Sequence, residues 1–326
     1  MKIVAYEVRA DEREEMRKEA ERHQVELVQV AEPLSEENIE IAAGADGITI
    51  LGTCVDADMM KQLSARNVKV LATRTIGYDH IDIKAAKDNG IHVCNGYYDP
   101  DGVAEYTIML MLMSLRNYKQ ALYRANANDY SLSGLMGKEM RNLTIGIVGT
   151  GKIGMKVIEM LQGFGCEILA YNRHEREHDG LKFRYCSLEE LYEKSDLISL
   201  HVPLATQTRY MINEESIAKM KKGVVLINCA RGELMCLKDV IKGIESEKIG
   251  ALGLDVIEDE EGIYHRDRRS DIIANQNMAY IRQFPNVTMT QHMAFYTKEA
   301  VKSMATGGVC NIVRCMKKED NPNMIC

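Results

Sequence analysis

The 326-residue sequence has no long hydrophobic stretch. Its longest apolar run covers residues 108–113, far short of a helical membrane span. The opening, MKIVAYEV, lacks the extended apolar core of a signal peptide and reads as a first strand. Positive charge is not in excess. The net charge of −7 argues against general nucleic-acid binding, which needs a basic surface. C-x-x-C is absent, and the nine cysteines suit reduced thiols in a cytoplasm, most of them acting as small buried hydrophobes. No internal repeat or low-complexity segment stands out, and no metal is expected.

What is present is the pattern of an α/β protein. The length favours two domains over one core, and 46% hydrophobic with 27% charged residues is ordinary for a globular chain. Strands are expected over residues 1–7, 25–30, 47–51, 68–73 and 91–93. Between them lie a charged helix over 11–22 with a Glu14–Lys18 pair, a short helix opened by Ser35 as N-cap, and a helix over 57–65. Asp99 and Pro100 read as an N-cap and a first helical residue. The helix they open runs to about Ala125, apolar nearly all round and so buried, with Met109, Met111 and Met113 in the core. Further on, helices are expected over 188–194, 214–220 and 237–246, and strands over 197–202, 224–228, 251–256 and 287–290. Residues 258–282 read as charged and irregular, and 317–326 as a loose polar tail.

The most informative stretch is residues 143–172, LTIGIVGTGKIGMKVIEMLQGFGCEILAYN. An apolar strand runs into Gly149-Thr150-Gly151-Lys152-Ile153-Gly154. An amphipathic helix and a second apolar strand follow. That context makes G-x-G-x-x-G a dinucleotide fingerprint. The first glycine allows the tight turn, the second lets backbone approach a pyrophosphate, and the third lets helix and strand pack closely. The helix N-terminus offers N–H groups and a positive dipole end to the phosphates.

In such sheets ligands bind beyond the carboxyl ends of the strands. Three polar groups stand there: Arg231 in NCARGE, Glu260 in DVIEDEEG and His292 in TQHMAFYT. Arginine suits a 2-oxo carboxylate through its two-pronged, permanently charged fork. Histidine suits proton exchange with a substrate oxygen, and a neighbouring carboxylate would orient it and favour its charged form.

The stretches ATRTIGYDHID, GTGKIG, HVPLATQT, NCARGE, LDVIEDEEG and QHMAFYT make the whole chain similar to the D-2-hydroxyacid dehydrogenase family. Within it, TRTIGYDHID, EYTIMLMLMSLRN and GFGCEILAYNR most resemble the D-lactate dehydrogenases of vancomycin-resistance clusters. YSLSGLMGKEMRNLTIG is also similar to aryl-lactate dehydrogenases of anaerobes. The resemblance implies two doubly wound, parallel-sheet, Rossmann-like domains. A substrate domain is built from both chain ends (1–99 and 297–326), a dinucleotide domain spans 100–296, and the cleft closes on substrate. It implies hydride transfer from NAD(P)H to a 2-oxo acid, most readily pyruvate to D-lactate, in a cytoplasmic homodimer. Arg231 would bind the substrate carboxylate, His292 would be the acid/base and Glu260 would tune it. Ile76 and Gly77 would meet the carboxylate through backbone, with Tyr98 and Phe295 near the substrate. Gly149, Gly151, Lys152, Ile153 and Gly154 would meet the pyrophosphate. Val202 and Pro203 would line the adenine site, and Cys229 and Asp255 would approach the nicotinamide end.

Three departures from the family pattern matter. Asn172 and Arg173 stand where an acidic residue usually binds the ribose 2′-hydroxyl. That removes a repulsion against a 2′-phosphate and adds a possible partner, so NADPH is expected to be favoured over NADH. Gln291 replaces the usual proline before the histidine, and Tyr97-Tyr98-Asp99 replaces a small-Tyr-Ser. Two other readings stay open: a reductase of larger 2-oxo acids such as phenylpyruvate or 2-oxoisocaproate, and a non-catalytic dinucleotide-sensing scaffold.

Overall fold

The computed structural model describes residues 1–175, 178 and 180–326. The chain divides into two compact units, Met1–Asp99 with Tyr296–Cys326, and Pro100–Phe295. Unit 1 starts with β1 (Lys2–Ala5), α1 (Arg13–His23), β2 (Glu26–Gln29), β3 (Gly47–Ile50), α2 (Ala57–Ala65), β4 (Val70–Thr73), α3 (Ile83–Asp88) and β5 (His92–Cys94). Its five strands lie in the order β2-β1-β3-β4-β5, and every neighbouring pair is parallel. This is one of the two common doubly wound orders. The central strands GITI and VLAT are buried at every position, as a parallel sheet covered on both faces requires. Local caps agree with the packing: Asp56 and Asp82 accept backbone N–H groups at the starts of α2 and α3.

Unit 2 contains α4 (Asp101–Leu115), α5 (Tyr118–Asn126), β6 (Thr144–Val148), α6 (Lys152–Leu161), β7 (Glu167–Tyr171), β8 (Arg184–Tyr185), α7 (Leu188–Lys194), β9 (Leu197–Leu200), α8 (Glu214–Lys219), β10 (Val224–Asn228), α9 (Leu237–Glu245), β11 (Ile249–Leu254), α10 (Gln276–Ile281) and β12 (Val287–Met289). The seven strands run β12-β11-β10-β9-β6-β7-β8, all parallel. Six of them reproduce the 3-2-1-4-5-6 order of dinucleotide-binding sheets, with the reversal between β6 and β9. The last helix, α11 (Lys298–Met316), returns to unit 1, where it packs on α1, β3 and β4.

The structure departs from the sequence reading at several places. The helix expected from Pro100 to about Ala125 is two helices. Asn117 adopts a left-handed φ of 49°, which asparagine tolerates better than most residues, and this breaks the helix between α4 and α5. Asp99 does not cap it, because its carboxylate instead accepts from Tyr97 Oη at 2.9 Å. Met111 is buried and Met113 packs at the core edge. Met109 and Leu112 face outward, so α4 is not covered all round. Ser35 opens no α-helix: its N–H donates to Asn38 Oδ1, and only a 3-10 turn at Ile39–Ala42 follows. The stretch 258–282 contains α10, capped by Asn275. The C-terminal residues are docked, with Met324 bridging Cys94 antiparallel and Ile325 N–H donating to Val93 O. Tyr296 falls in unit 1, where the Arg9 guanidinium lies 5.5 Å over its ring.

Candidate active site

The glycine turn after β6 has the shape its residues dictate. Gly149 holds a φ of 100°, a conformation side-chain-bearing residues rarely adopt, and a Cβ there would strike the His201 carbonyl. A Cβ on Gly154 would land on the Gly149 carbonyl oxygen, so α6 can rest on the turn only because that atom is missing. Gly151 precedes α6 in extended conformation, and open space lies where its Cβ would be. The first bond of the helix is Met155 N–H to Gly151 O. The N–H groups of Lys152, Ile153 and Gly154 therefore lie in the first turn, where no intrahelical acceptor exists. An open approach to a positive helix end, at the point where strand order reverses, fits a dinucleotide diphosphate.

Nearby groups are fixed by local bonds. Asn172, just past β7, accepts weakly from Thr150 N–H at 3.4 Å and donates to the His174 carbonyl at 2.7 Å. Arg173 is exposed. Beyond β9, burial pushes His201 down to about 4, leaving a neutral ring whose Nε2 meets Ser199 Oγ at 2.9 Å. Val202 is half-buried and Pro203 exposed. Past β10, burial and the Asp255 carboxylate hold the Cys229 thiol up.

The polar groups at the strand ends are joined within unit 2. The buried Asn228 side chain accepts from Ala230 N–H at 3.0 Å and donates to the Arg231 carbonyl at 2.8 Å, which shapes the NCARGE turn. A Cβ on Gly232 would fall on the Ile257–Glu258 peptide, so the Arg231 turn lies directly against the acidic loop. Four acidic side chains occupy that loop, and the geometry separates them. Glu258 accepts from Tyr210 Oη and from Leu237 N–H. Glu260 Oε1 lies 2.5 Å from His292 Nδ1, and its Oε2 accepts from Ile257 N–H at 2.9 Å. With Nδ1 against the carboxylate, Nε2 is the ring nitrogen turned away from Glu260. Phe295 stands edge-on to the His292 ring at 6.3 Å.

His292 itself is held by backbone. Its φ is 52°, and its N–H donates to the Asp255 carbonyl at 2.6 Å. The Asp255 side chain, fully buried, accepts from Thr290 Oγ1, Met293 N–H and Ala294 N–H at 2.7, 2.9 and 2.8 Å. Its carboxylate thus ties down the loop that presents His292. The sequence reading missed His265, whose Nε2 lies 2.9 Å from the His292 carbonyl and whose ring is 6.0 Å from the His292 ring. No motif marks it, and it sits in the stretch read as irregular.

In unit 1, the loop after β4 carries Ile76 and Gly77. Asn95 Nδ2 donates to the Ile76 carbonyl and Thr75 Oγ1 to the Gly77 carbonyl. Beneath it Arg74 is fully buried, with Nε 3.0 Å from Glu12 Oε1 and Nη2 donating to the carbonyls of Tyr6 and Glu7. Sequence reading did not find this pair, because Glu12 sits in a charged stretch that reads as solvated. Tyr98 is half-buried in the same unit.

A doubly wound sheet with a diphosphate-fitting turn and a carboxylate–histidine pair at its strand ends defines a dinucleotide-dependent oxidoreductase. Comparison with known proteins narrows the class. Residues 108–294 match the model for "D-isomer specific 2-hydroxyacid dehydrogenase, NAD binding domain". An aromatic 2-oxoacid reductase of Clostridium sporogenes is 41% identical over 318 residues, covering 96% of this chain and 95% of that one. The solved structure of a D-2-hydroxyisocaproate dehydrogenase superposes with a TM-score of 0.89 at 32% identity, covering 100% and 99% of the two chains. That of the Escherichia coli D-lactate dehydrogenase gives 0.85 at 31%, covering all of both. The chain belongs to the D-isomer-specific 2-hydroxyacid dehydrogenase family. It is an oxidoreductase that interconverts 2-oxo and D-2-hydroxy acids with a nicotinamide cofactor. No helix among the described residues is long and apolar enough to cross a membrane.

Proposed function

We propose that the chain reduces an aromatic 2-oxo acid of the phenylpyruvate type to its R-hydroxy acid, with His292 as the acid. The observation that carries the mechanism is the 2.5 Å contact between His292 Nδ1 and Glu260. It orients the ring so that Nε2 gives its proton to the carbonyl oxygen as that oxygen becomes a hydroxyl. Arg231 pairs with the substrate carboxylate, and Phe295, edge-on to the His292 ring, lines the same unit's share of the substrate's surroundings. When bound, reduced nicotinamide supplies the two electrons and hydrogen that the carbonyl carbon gains. Gly149, Gly151, Lys152, Ile153 and Gly154 hold its diphosphate, Val202 and Pro203 flank the adenine, and Cys229 lies towards the nicotinamide end.

The aromatic reading is supported by the 41% identity to an aromatic 2-oxoacid reductase. Pyruvate is the second reading, favoured by the full-length similarity to a D-lactate dehydrogenase. The cofactor reading is NADPH, supported by Asn172 and the exposed Arg173 at the end of β7. Initial rates with phenylpyruvate, pyruvate and 2-oxoisocaproate, each with NADH and NADPH, test both. A higher kcat/KM for pyruvate overturns the aromatic assignment, and a preference for NADH overturns the cofactor assignment. Asn172→Asp should move the preference towards NADH.

The dimer reading is supported by apolar side chains of α4, α5 and the following loop. Met109, Leu112 and Leu122 are exposed, and Tyr123 is 77% and Met136 93% exposed. Leu122→Glu should shift the mass measured by light scattering from dimer to monomer. The nine free cysteines support a reducing, cytoplasmic setting.

A further inference from the structure

Away from the strand ends, α1 and α11 bring three metal-ligating groups to one point. Glu19 and His23 stand one helical turn apart on α1, and Cys310 faces them from α11. Cys310 Sγ lies 2.9 Å from Glu19 Oε1 and 3.5 Å from His23 Nε2, and His23 Nε2 is 3.0 Å from Glu19 Oε1. We propose that Glu19, His23 and Cys310 form a zinc site that ties the first helix of the chain to the last.

The geometry supports this directly. With zinc bonds of about 2.3 Å to sulfur and about 2.0–2.1 Å to nitrogen and oxygen, a tetrahedral site has ligand–ligand edges of roughly 3.4–3.6 Å. The 3.5 Å from Cys310 to His23 matches such an edge, and the two contacts to Glu19, at 3.0 and 2.9 Å, would open by roughly 0.4 and 0.6 Å as the metal enters. The two shorter ones are hydrogen bonds that a cation would replace. The donor set is also selective: thiolate, imidazole and carboxylate together suit zinc, and hard-cation sites lack the sulfur. Three protein ligands leave a fourth position for water.

Glu19 is the buried member of the group, and His23 and Cys310 are half-buried. Glu19 is 8% exposed, so its carboxylate has little water to satisfy it. The Cys310 Sγ–H donates a hydrogen bond to Glu19 Oε1. Zinc binding replaces that proton, which passes to bulk solvent, and the thiolate becomes a ligand. Arg22 and Arg314 are the nearby cations. Arg22 Nη1 lies 3.6 Å from Glu19 Oε1, but its side chain is largely solvent-exposed, as is Arg314, so both can move outward. The tie would join residues 291 positions apart and hold the N-terminal helix to the C-terminal one within unit 1.

The test is titration of the chelator-treated, full-length protein with cobalt(II), then zinc. One equivalent of cobalt should give a thiolate-to-metal charge-transfer band, and zinc should displace it. Zinc at a hundredfold excess over its Kd should raise Tm by several degrees. Cys310→Ser, nearly the same size, should abolish the band. His23→Gln should weaken cobalt binding at least tenfold, with turnover unchanged in the metal-free state. A band that persists in Cys310→Ser, or one lost instead in Cys315→Ser, overturns the proposal. So does a wild-type protein that gives no band or no zinc-dependent rise in Tm.

Discussion

Asp255→Asn isolates how the His292 loop is held. The carboxylate accepts from Thr290 Oγ1, Met293 N–H and Ala294 N–H. An asparagine with its oxygen in the Oδ1 position keeps the first two bonds but turns an NH2 group towards Ala294 N–H. That leaves one buried donor unsatisfied, at about 1–3 kcal/mol, and lowers two charge-assisted bonds to neutral ones, at about 1 kcal/mol each. The amide is easier to bury than a carboxylate, which offsets part of this. The net expectation is a loss of about 2–4 kcal/mol in urea melts, or a fall in Tm of roughly 4–16 °C. Because His292 sits inside the loop at a left-handed φ, kcat should fall about a hundredfold, the scale expected for a misplacement of about 1 Å. Thr290→Val, which removes one of the three donors, should cost about 1–2 kcal/mol and leave most of kcat. A variant Asp255→Asn within about 0.5 kcal/mol of wild type, the usual range of neutral surface changes, with kcat unchanged, would refute the reasoning.

Four further outcomes follow from other parts of the molecule. Glu12→Ala leaves the fully buried Arg74 guanidinium without its carboxylate and should cost about 3–5 kcal/mol. Glu40→Ala, at the exposed end of a pair with Arg66, should cost under about 1 kcal/mol in the same urea melts. His201 is pushed down to about 4, so between its ordinary value and that one the unfolded chain takes a proton that the native chain refuses. Stability should therefore fall as pH drops from about 6.5 to about 4, by about 2–3 kcal/mol. His201→Gln should flatten that slope in Tm-versus-pH curves. Gly154→Ala puts a Cβ onto the Gly149 carbonyl, and calorimetry should show dinucleotide binding lost while far-ultraviolet circular dichroism still reports a folded chain.

Much of this protein is legible in the order of its residues, for reasons that are local. The run Thr144–Val148 is a buried strand because parallel strands covered on both faces must be apolar throughout. Gly149, Gly151 and Gly154 announce their turn because each position excludes a side chain or needs a conformation that a side chain opposes. Leu188–Lys194 forms the helix expected there, and Ser187 proves to cap it. Arg231, Glu260 and His292 stand out because each follows a strand of an alternating sheet. What the sequence could not decide depends on contacts between distant segments. Asn117 stops a helix whose apolar pattern continues past it. The tail at Met324 and Ile325 is ordered by pairing with β5. Glu260 is marked among four neighbouring acids by its place in the motif, and packing of the Gly232 turn against residues 257–258 and of the His292 backbone against Asp255 is what brings it to the histidine. The burial of Glu12 beneath Arg74 and the meeting of Glu19 and His23 with Cys310 arise the same way. Local pattern fixes which elements form. The charged and polar groups left over acquire their partners only when the elements pack, since a hydrogen bond depends on position in space and not on separation along the chain.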